Sequence, residues 1–374
     1  MTAPQKTATI LFAGGYVVSV EGSLYKLSEA ARKTIAGCVC LPAKEGIEVK
    51  ILPLTAVCEL FFRRHFPRLL HPLLRPMLKP LKLLHALWRL SGHMGRLVVE
   101  RHAYEALMVY NYSWATVTFA GFARWITRKR IFLDYEDGMF TDAQYRRYHA
   151  MLESVALRLA DASILVNDEL GARLPATMPS LVVSGIFPDL PATRSANSRP
   201  VLLYSGNVDM EFGLGLLMEE LSTLGTVSLD VQVTGGGKGS GRLRTFLAAH
   251  DLPHVHYHAF IPTEDLLALE ERASGYLILQ YEDSRYYGTN YPSKFFYYLG
   301  RLTPVSVNRR SLFDPYLSIP NAFTFDRPAD AAMVIQQHID RKFDHQTARI
   351  MMRDYNQGIG KALGKVLLGG AYGT

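Results

Sequence analysis

The chain has 374 residues, 48% of them hydrophobic and 20% charged, with a formal net charge of +7. That length supports two domains, each burying its own core. There is no uncharged apolar run of about eighteen residues and no basic-then-apolar leader, so the sequence reads as neither membrane-spanning nor secreted. The cysteines, Cys38, Cys40 and Cys58, lack metal-ligand spacing and fit reduced thiols in a cytoplasm.

Thr7 to Phe12 predicts a first strand that runs into Ala13-Gly14-Gly15. Glycine there lets a ligand approach the backbone closely, and a bare tight turn is the other reading. A helix follows over Leu24 to Ile35, and Ile47 to Leu52 predicts a second strand. Between Leu60 and Val99 lie Arg63, Arg64, Arg68, Arg75, Lys79, Lys82, Arg89 and Arg96 with no acidic residue, so the basic excess is one patch. Leu70, Leu73, Leu74, Met77, Leu78, Leu81 and Leu84 recur there at helical spacing, with cations largely between them. Pro67, Pro72, Pro76 and Pro80 predict broken turns with a cleaner helix only from Leu81. Leucines and Trp88 set against Arg68, Arg75, Lys79 and Lys82 suit the anionic inner face of a membrane. A core-facing helix pair with a solvated basic face is the alternative. Nucleic acid fits poorly, because aliphatic rather than stacking residues interleave the cations.

Ala106 to Tyr112 and Arg130 to Leu133 predict further strands, the second running into Asp134-Tyr135-Glu136-Asp137-Gly138. Carboxylates at the carboxyl end of a parallel strand lie where α/β proteins bind ligands. Clustered, they raise one another's pKa toward a value useful for a general base, which makes Asp137 the first candidate and Glu136 the second. An Asp turn before a helix capped by Thr141 or Asp142 is the plainer reading. Ala143 to Leu159 predicts a helix, Ala162 to Val166 a strand, and Leu181 to Gly185 closes this half. Pro188 to Pro200 has the composition of a linker.

The second half restarts with Val201 to Tyr204, then Ser205-Gly206-Asn207 and a helix over Gly213 to Leu224. Leu229 to Thr234 predicts a strand leading to GGGKGSGR, which lacks the spacing of a phosphate-binding Walker loop and reads as a flexible loop. His254, His256 and His258 alternate; they read as a partly exposed strand before a zinc site. Thr263 to Ala273 predicts a helix and Tyr276 to Gln280 a buried strand. A polar loop carrying Glu282, Asn290 and Tyr291 leads to Pro292, Ser293 and Lys294, where a helix should open before a strand beginning at Pro304. A Lys at that point can pair with a phosphate, so the chemistry indicated is diphosphate binding. Asp344 to Leu368 is a basic helical tail.

Pro292, Ser293, Lys294, Phe295, Phe296, Tyr297, Tyr298, Leu299 and Gly300, followed by Pro304-Val305, resemble the donor-binding signature of GT-B glycosyltransferases of family 4-like type. Asp137-Gly138 resembles the Asp-Gly turn of the GT-B enzyme that adds glucuronic acid during xanthan assembly, whose aspartate is the base. The resemblance implies an α/β GT-B fold, two doubly wound Rossmann-like domains facing across a cleft. Residues 1–190 would form the membrane-facing acceptor domain, residues 200–343 the nucleotide-sugar domain, and residues 344–374 a helix crossing back. It implies transfer of a sugar from a nucleotide-sugar, a UDP-sugar first among them, to a lipid-linked or membrane-proximal glycan in envelope or exopolysaccharide synthesis. The enzyme would be peripheral to the inner face of the cell membrane and use no metal or other cofactor. Donor contacts would come from Lys294, Ser293, Asn290, Tyr291, Tyr297, Gly206, Asn207 and Glu282. Tyr297 replaces the family's ribose-binding glutamate, and Asn207 and Phe212 replace a basic pair of many retaining members, which places more charge on Lys294 and favours inversion. The competing readings are a non-catalytic membrane scaffold, or a sugar-nucleotide epimerase or phosphorylase on the same fold.

Overall fold

The computed structural model describes residues 8–14, 47–53, 75–136, 146–192, 199–208, 229–279, 292, 294–308, 311–327 and 344–368, with isolated positions between 215 and 337. The predicted helices over Leu24 to Ile35 and most of Gly213 to Leu224 fall outside them. The chain forms two compact units: Met1–Ile186 with Gly288–Tyr291 and Asn356–Thr374, and Phe187–Tyr287 with Pro292–Tyr355.

In the first unit, β1 (Ala8–Gly14), β2 (Ile47–Pro53), β3 (Ala106–Tyr110), β4 (Arg130–Tyr135), β5 (Ala162–Leu165) and β6 (Ser180–Val182) form a parallel sheet in the order β2-β1-β3-β4-β5-β6. Every residue of β3 is buried, and so is every residue of β4 after Arg130. Strands covered on both faces need such unbroken apolar runs, and this is why these segments carry no alternation. Three helices, α1 (Arg75–Val99), α2 (Trp114–Phe122) and α3 (Arg146–Leu159), connect the strands, with α2 packed against both of the others. The set Ile10, Phe12, Met108, Tyr110, Phe132 and Ile164 builds a core that Leu363, Val366 and Leu367 complete.

The helix α1 corrects the expectation of broken turns before Leu81, because it begins at Arg75. Pro76 falls in the first turn, where a backbone N–H has no helical partner to lose. Pro80 alone costs an interior bond.

The second unit holds β7 (Val201–Ser205), β8 (Asp230–Thr234), β9 (Val255–Tyr257), β10 (Gly275–Ile278), β11 (Val305–Asn308) and β12 (Ala322–Phe325), a parallel sheet in the order β12-β11-β10-β7-β8-β9. Among the described residues its helices include α4 (Ser240–Ala249), α5 (Thr263–Arg272) and α6 (Lys294–Gly300). The glycine run after β8, read as a flexible loop, is instead a short turn that enters α4 at Ser240. Within this turn Gly235, at φ 135, takes a backbone angle that side chains avoid. Leu202, Val231, Val233, Leu243 and Leu277 form the core between β7, β8, β10 and α4. Phe295 and Phe296 of α6 pack with Phe187, Tyr316 and Tyr355, giving the short helix an aromatic socket.

The last helix, α7 (His345–Leu368), is capped by Asp344, whose carboxylate accepts from the Thr347 amide at 2.9 Å and hydroxyl at 2.6 Å. Those bonds hold the Asp344 carboxyl below its ordinary pKa. Residues up to Tyr355 belong to the second unit and those from Asn356 to the first.

Candidate functional site

In the second sheet the chain moves from β7 outward to β8 and β9, then returns to the other side of β7 for β10, β11 and β12. The connections therefore diverge at the carboxyl ends of β7 and β10, and an open α/β sheet binds ligands at such a reversal. The β7 end supplies Ser205-Gly206-Asn207; the β10 end leads through residues outside the described set to Pro292 and α6. Lys294, the first residue of α6, donates from Nζ to the Ser205 carbonyl at 2.8 Å and the Ser205 Oγ at 2.7 Å. An ammonium is thereby fixed over the reversal point by two groups 89 residues away.

The strand ends beside it come unusually close. The Gly206 amide donates to the Thr234 carbonyl at 3.0 Å and the Val208 amide to the Gly236 carbonyl at 3.2 Å, so pairing continues beyond the strands. Gly235, at φ +135, lies so near that a Cβ would stand 1.7 Å from the Gly206 carbonyl oxygen. Beneath the turn the buried Tyr204 hydroxyl donates to the Asn207 carbonyl at 3.3 Å, and burial pushes that phenol's pKa up, keeping it a neutral donor. Asn207 is exposed at the rim. Lys294, Gly206 and Asn207 are thus brought together by the fold. Ser205 has no individual signature in the sequence: a small residue ending an apolar strand is unremarkable until its partner 89 residues on is known.

Tyr297, read from the sequence as a donor contact, has its hydroxyl committed elsewhere. It donates to Glu270 Oε2 at 2.9 Å and accepts from Arg301 Nη2 at 2.9 Å, and the same guanidinium bonds Glu270 at 2.9 Å. Burial, with the Glu270 charge beside it, raises the Tyr297 pKa. Ser293, Asn290, Tyr291 and Glu282 lie outside the described residues.

The first sheet reverses between β1 and β3. Gly14 ends β1, and Asn111 follows β3 at φ 49, a left-handed position that asparagine tolerates. Its amide donates to the Asp134 carbonyl at 2.7 Å, and its Oδ1 accepts from the Glu136 amide at 2.8 Å. The backbone of Glu136 is thereby positioned at the end of β4, with its side chain buried. Asp134 is buried as well and belongs to β4 rather than to the loop after it. Tyr135 points back to Glu153, which also receives Arg173 at 3.2 Å; burial holds the Glu153 carboxyl above its ordinary pKa. Asp137 and Gly15 fall outside the described residues. On α1, Trp88 is exposed; Arg75, Lys79 and Lys82 lie in its first turns, and Arg68 is outside the described set. Among the described residues no group of His, Cys, Asp and Glu is arranged to hold a metal, and no helix is long and apolar enough to cross a membrane.

No family model matches this sequence, and no curated protein matches it. Solved structures do. Anabaena Alr3699/HepE in complex with UDP is similar over 96% of this chain and 98% of its own, at 14% identity and a TM-score of 0.57. The lipopolysaccharide outer core galactosyltransferase WaaB matches over 96% of both chains at 13% identity and a TM-score of 0.53. Sucrose-phosphate synthase of Thermosynechococcus elongatus matches over 95% of this chain and 94% of its own at 15% identity and 0.55. With its two six-stranded parallel sheets, the chain has the α/β GT-B fold.

Proposed function

We propose that this chain is a glycosyltransferase that moves a sugar from a nucleotide-sugar, with a UDP-sugar as the first candidate, to a lipid-linked or membrane-proximal glycan. The observation that carries the reading is the Lys294 ammonium held at 2.8 and 2.7 Å against the end of β7, at the reversal point of the second sheet. A diphosphate there would be met by a fixed cation and by backbone that glycine keeps open to close approach. The departing nucleoside diphosphate gains negative charge as the glycosidic bond breaks, so a cation already in place stabilises the transition state without reorganising. The resemblance of two GT-B neighbours, one solved with UDP and one named a galactosyltransferase, supports the same reading. Lys294, Ser293, Gly206 and Asn207 would bind the donor, with Asn290, Tyr291 and Glu282 beside them, and the first unit would receive the acceptor near Gly14, Gly15 and the end of β4. The acceptor hydroxyl must lose a proton, and Asp137, with Glu136 behind it, would take it. The basic, leucine-rich stretch through Arg68, Arg75, Lys79, Lys82 and Trp88 would keep the enzyme at the inner membrane surface where such acceptors lie.

Thermal denaturation with UDP, GDP, CMP and dTDP tests the donor site. One nucleotide at 100 times its dissociation constant should add about 2.7 kcal/mol, and the gain should vanish in Lys294→Ala. Equal responses in both proteins would remove Lys294 from the site. Turnover tests the base: Asp137→Asn should lose about 10²–10⁴-fold in rate while keeping its nucleotide response. Unchanged turnover in that variant would take Asp137 out of the mechanism.

A further inference from the structure

Among the described side chains of α1, the buried ones are Leu90, His93 and Leu97, which form one stripe. On the wheel of 3.6 residues per turn, the exposed Leu84, Leu87, Trp88, Val98 and Val99 fall within an arc of about 120° directed away from that stripe, while Leu83, also exposed, lies nearer to it. A Cβ built on Gly92 or Gly95 would meet nothing within 4 Å, so the helix is open at these two positions. Exposed apolar side chains also occur on the element packed beside α1. The π-helical turn Ala123–Thr127 that follows α2 packs against α1, and it carries Trp125 at 76% and Ile126 at 55% exposure. The two elements are linked through Tyr104, whose hydroxyl donates to the Leu97 carbonyl at 2.9 Å while Lys129 Nζ stands 5.4 Å from its ring centre.

The charge around this apolar face is predominantly positive. Arg128 and Arg130, which follow the π-helical turn in sequence, are exposed, and Arg101 lies just past the end of α1. Glu100 is paired with Arg96 at 3.2 Å and Asp161 with Arg124 at 2.7 Å, and among the described residues here Glu105, just before β3, is an exposed carboxylate. A second copy of the chain set face to face here would bring these cations against one another, whereas an anionic bilayer would neutralise them while its interface takes tryptophan rings.

We propose that α1 lies lengthwise on an anionic lipid surface and enters it at two points, Leu84-Leu87-Trp88 at one end and Val99-Trp125-Ile126 at the other, about 16 Å apart at 1.5 Å per residue. The proposal rests on the functional reading above only for the presence of a membrane. It adds a second anchor, drawn from the π-helical turn at the amino-terminal edge of the first sheet, opposite the edge that carries Gly14 and Asn111.

The tryptophans of the chain, Trp88, Trp114 and Trp125, make the test direct. The full chain carrying Trp88→Phe and Trp114→Phe reports on Trp125 alone; with Trp114→Phe and Trp125→Phe it reports on Trp88. Each is mixed with vesicles of phosphatidylcholine containing phosphatidylglycerol, and with phosphatidylcholine alone. Both reporters should shift to the blue and be quenched by brominated acyl chains on the anionic vesicles, with much weaker effects on the neutral ones. Replacing Arg128 and Arg130 by Gln should lower the partition coefficient about five-fold per charge. If Trp88 moves and Trp125 does not, the second anchor is wrong. If Trp125 shifts with protein concentration in the absence of lipid, the face joins copies of the chain and the proposal is overturned. The nucleotide response, measured on the same variants, keeps the two ideas apart: vesicle binding without any nucleotide response sinks the transferase reading and leaves the docking face standing.

Discussion

At the level of single residues, the closest constraint in the candidate site is Gly235. Two conditions coincide there: φ of +135, which an L side chain resists, and a Cβ position only 1.7 Å from the Gly206 carbonyl oxygen. Strain alone costs about 1–3 kcal/mol, and the collision is with backbone that cannot swing aside. Gly235→Ala should therefore lose about 3 kcal/mol or more in denaturant unfolding, within the range of the severe single substitutions. It should also lose the nucleotide response, because the β7 turn must move. Gly236→Ala provides the comparison, since its Cβ would only touch the Phe260 Cβ at 3.9 Å. If the two variants unfold alike, the close approach of the strand ends is not real. The neighbouring Tyr257 hydroxyl, donating to the Gly235 carbonyl at 3.0 Å, fixes the same turn from the opposite side.

At the level of elements, α6 decides the second unit's site, because its seven residues and the Arg301 that follows are tied to three different neighbours. Lys294 reaches β7, Phe295 and Phe296 fill the aromatic socket, and Tyr297 and Arg301 close on Glu270 of α5. The Arg301–Glu270 pair is nearly inaccessible to solvent, at 8% and 5% side-chain exposure. Removing one partner of such a pair strands a buried charge, and Arg301→Ala should cost about 3–5 kcal/mol. Tyr297→Phe deletes only hydrogen bonds and should cost nearer 1 kcal/mol. Replacing both Glu270 and Arg301 by Leu and Met should recover much of the single-variant loss, and a double-mutant cycle in urea measures the difference. Strict additivity would mean that the pair is not coupled. The placement of Lys294 was legible in the sequence because it rests on local order: an apolar strand, a proline, then a helix. Ser205, Asn111 and Glu270 were not, since each acquires its role from a partner many residues distant. The early start of α1 is hidden for a related reason: four prolines look alike in the sequence, although a proline in a first turn loses no bond.

For the whole molecule, the sequence carried the alternation of strand and helix that forces parallel, doubly wound sheets. It did not carry the strand order, which fixes where each sheet reverses and hence where each site lies. The order depends on which crossover turns back, and crossovers of either direction look alike in hydrophobic pattern. Each unit has its own core, so a single unfolding transition is not guaranteed. The helix α7 serves both, with Tyr355 in the aromatic socket of the second unit and Leu363, Val366 and Leu367 in the core of the first. Leu363 is fully buried, and truncating such a residue to alanine costs about 2–5 kcal/mol. All three tryptophans belong to the first unit, so their fluorescence follows that unit specifically. Leu363→Ala should shift the tryptophan-detected urea transition by that amount while nucleotide stabilisation of the second unit, followed by protection from proteolysis, persists. Tyr355→Ala should do the reverse, weakening the protection and leaving the tryptophan transition nearly in place. Equal shifts of both signals in both variants would show that the two units unfold together.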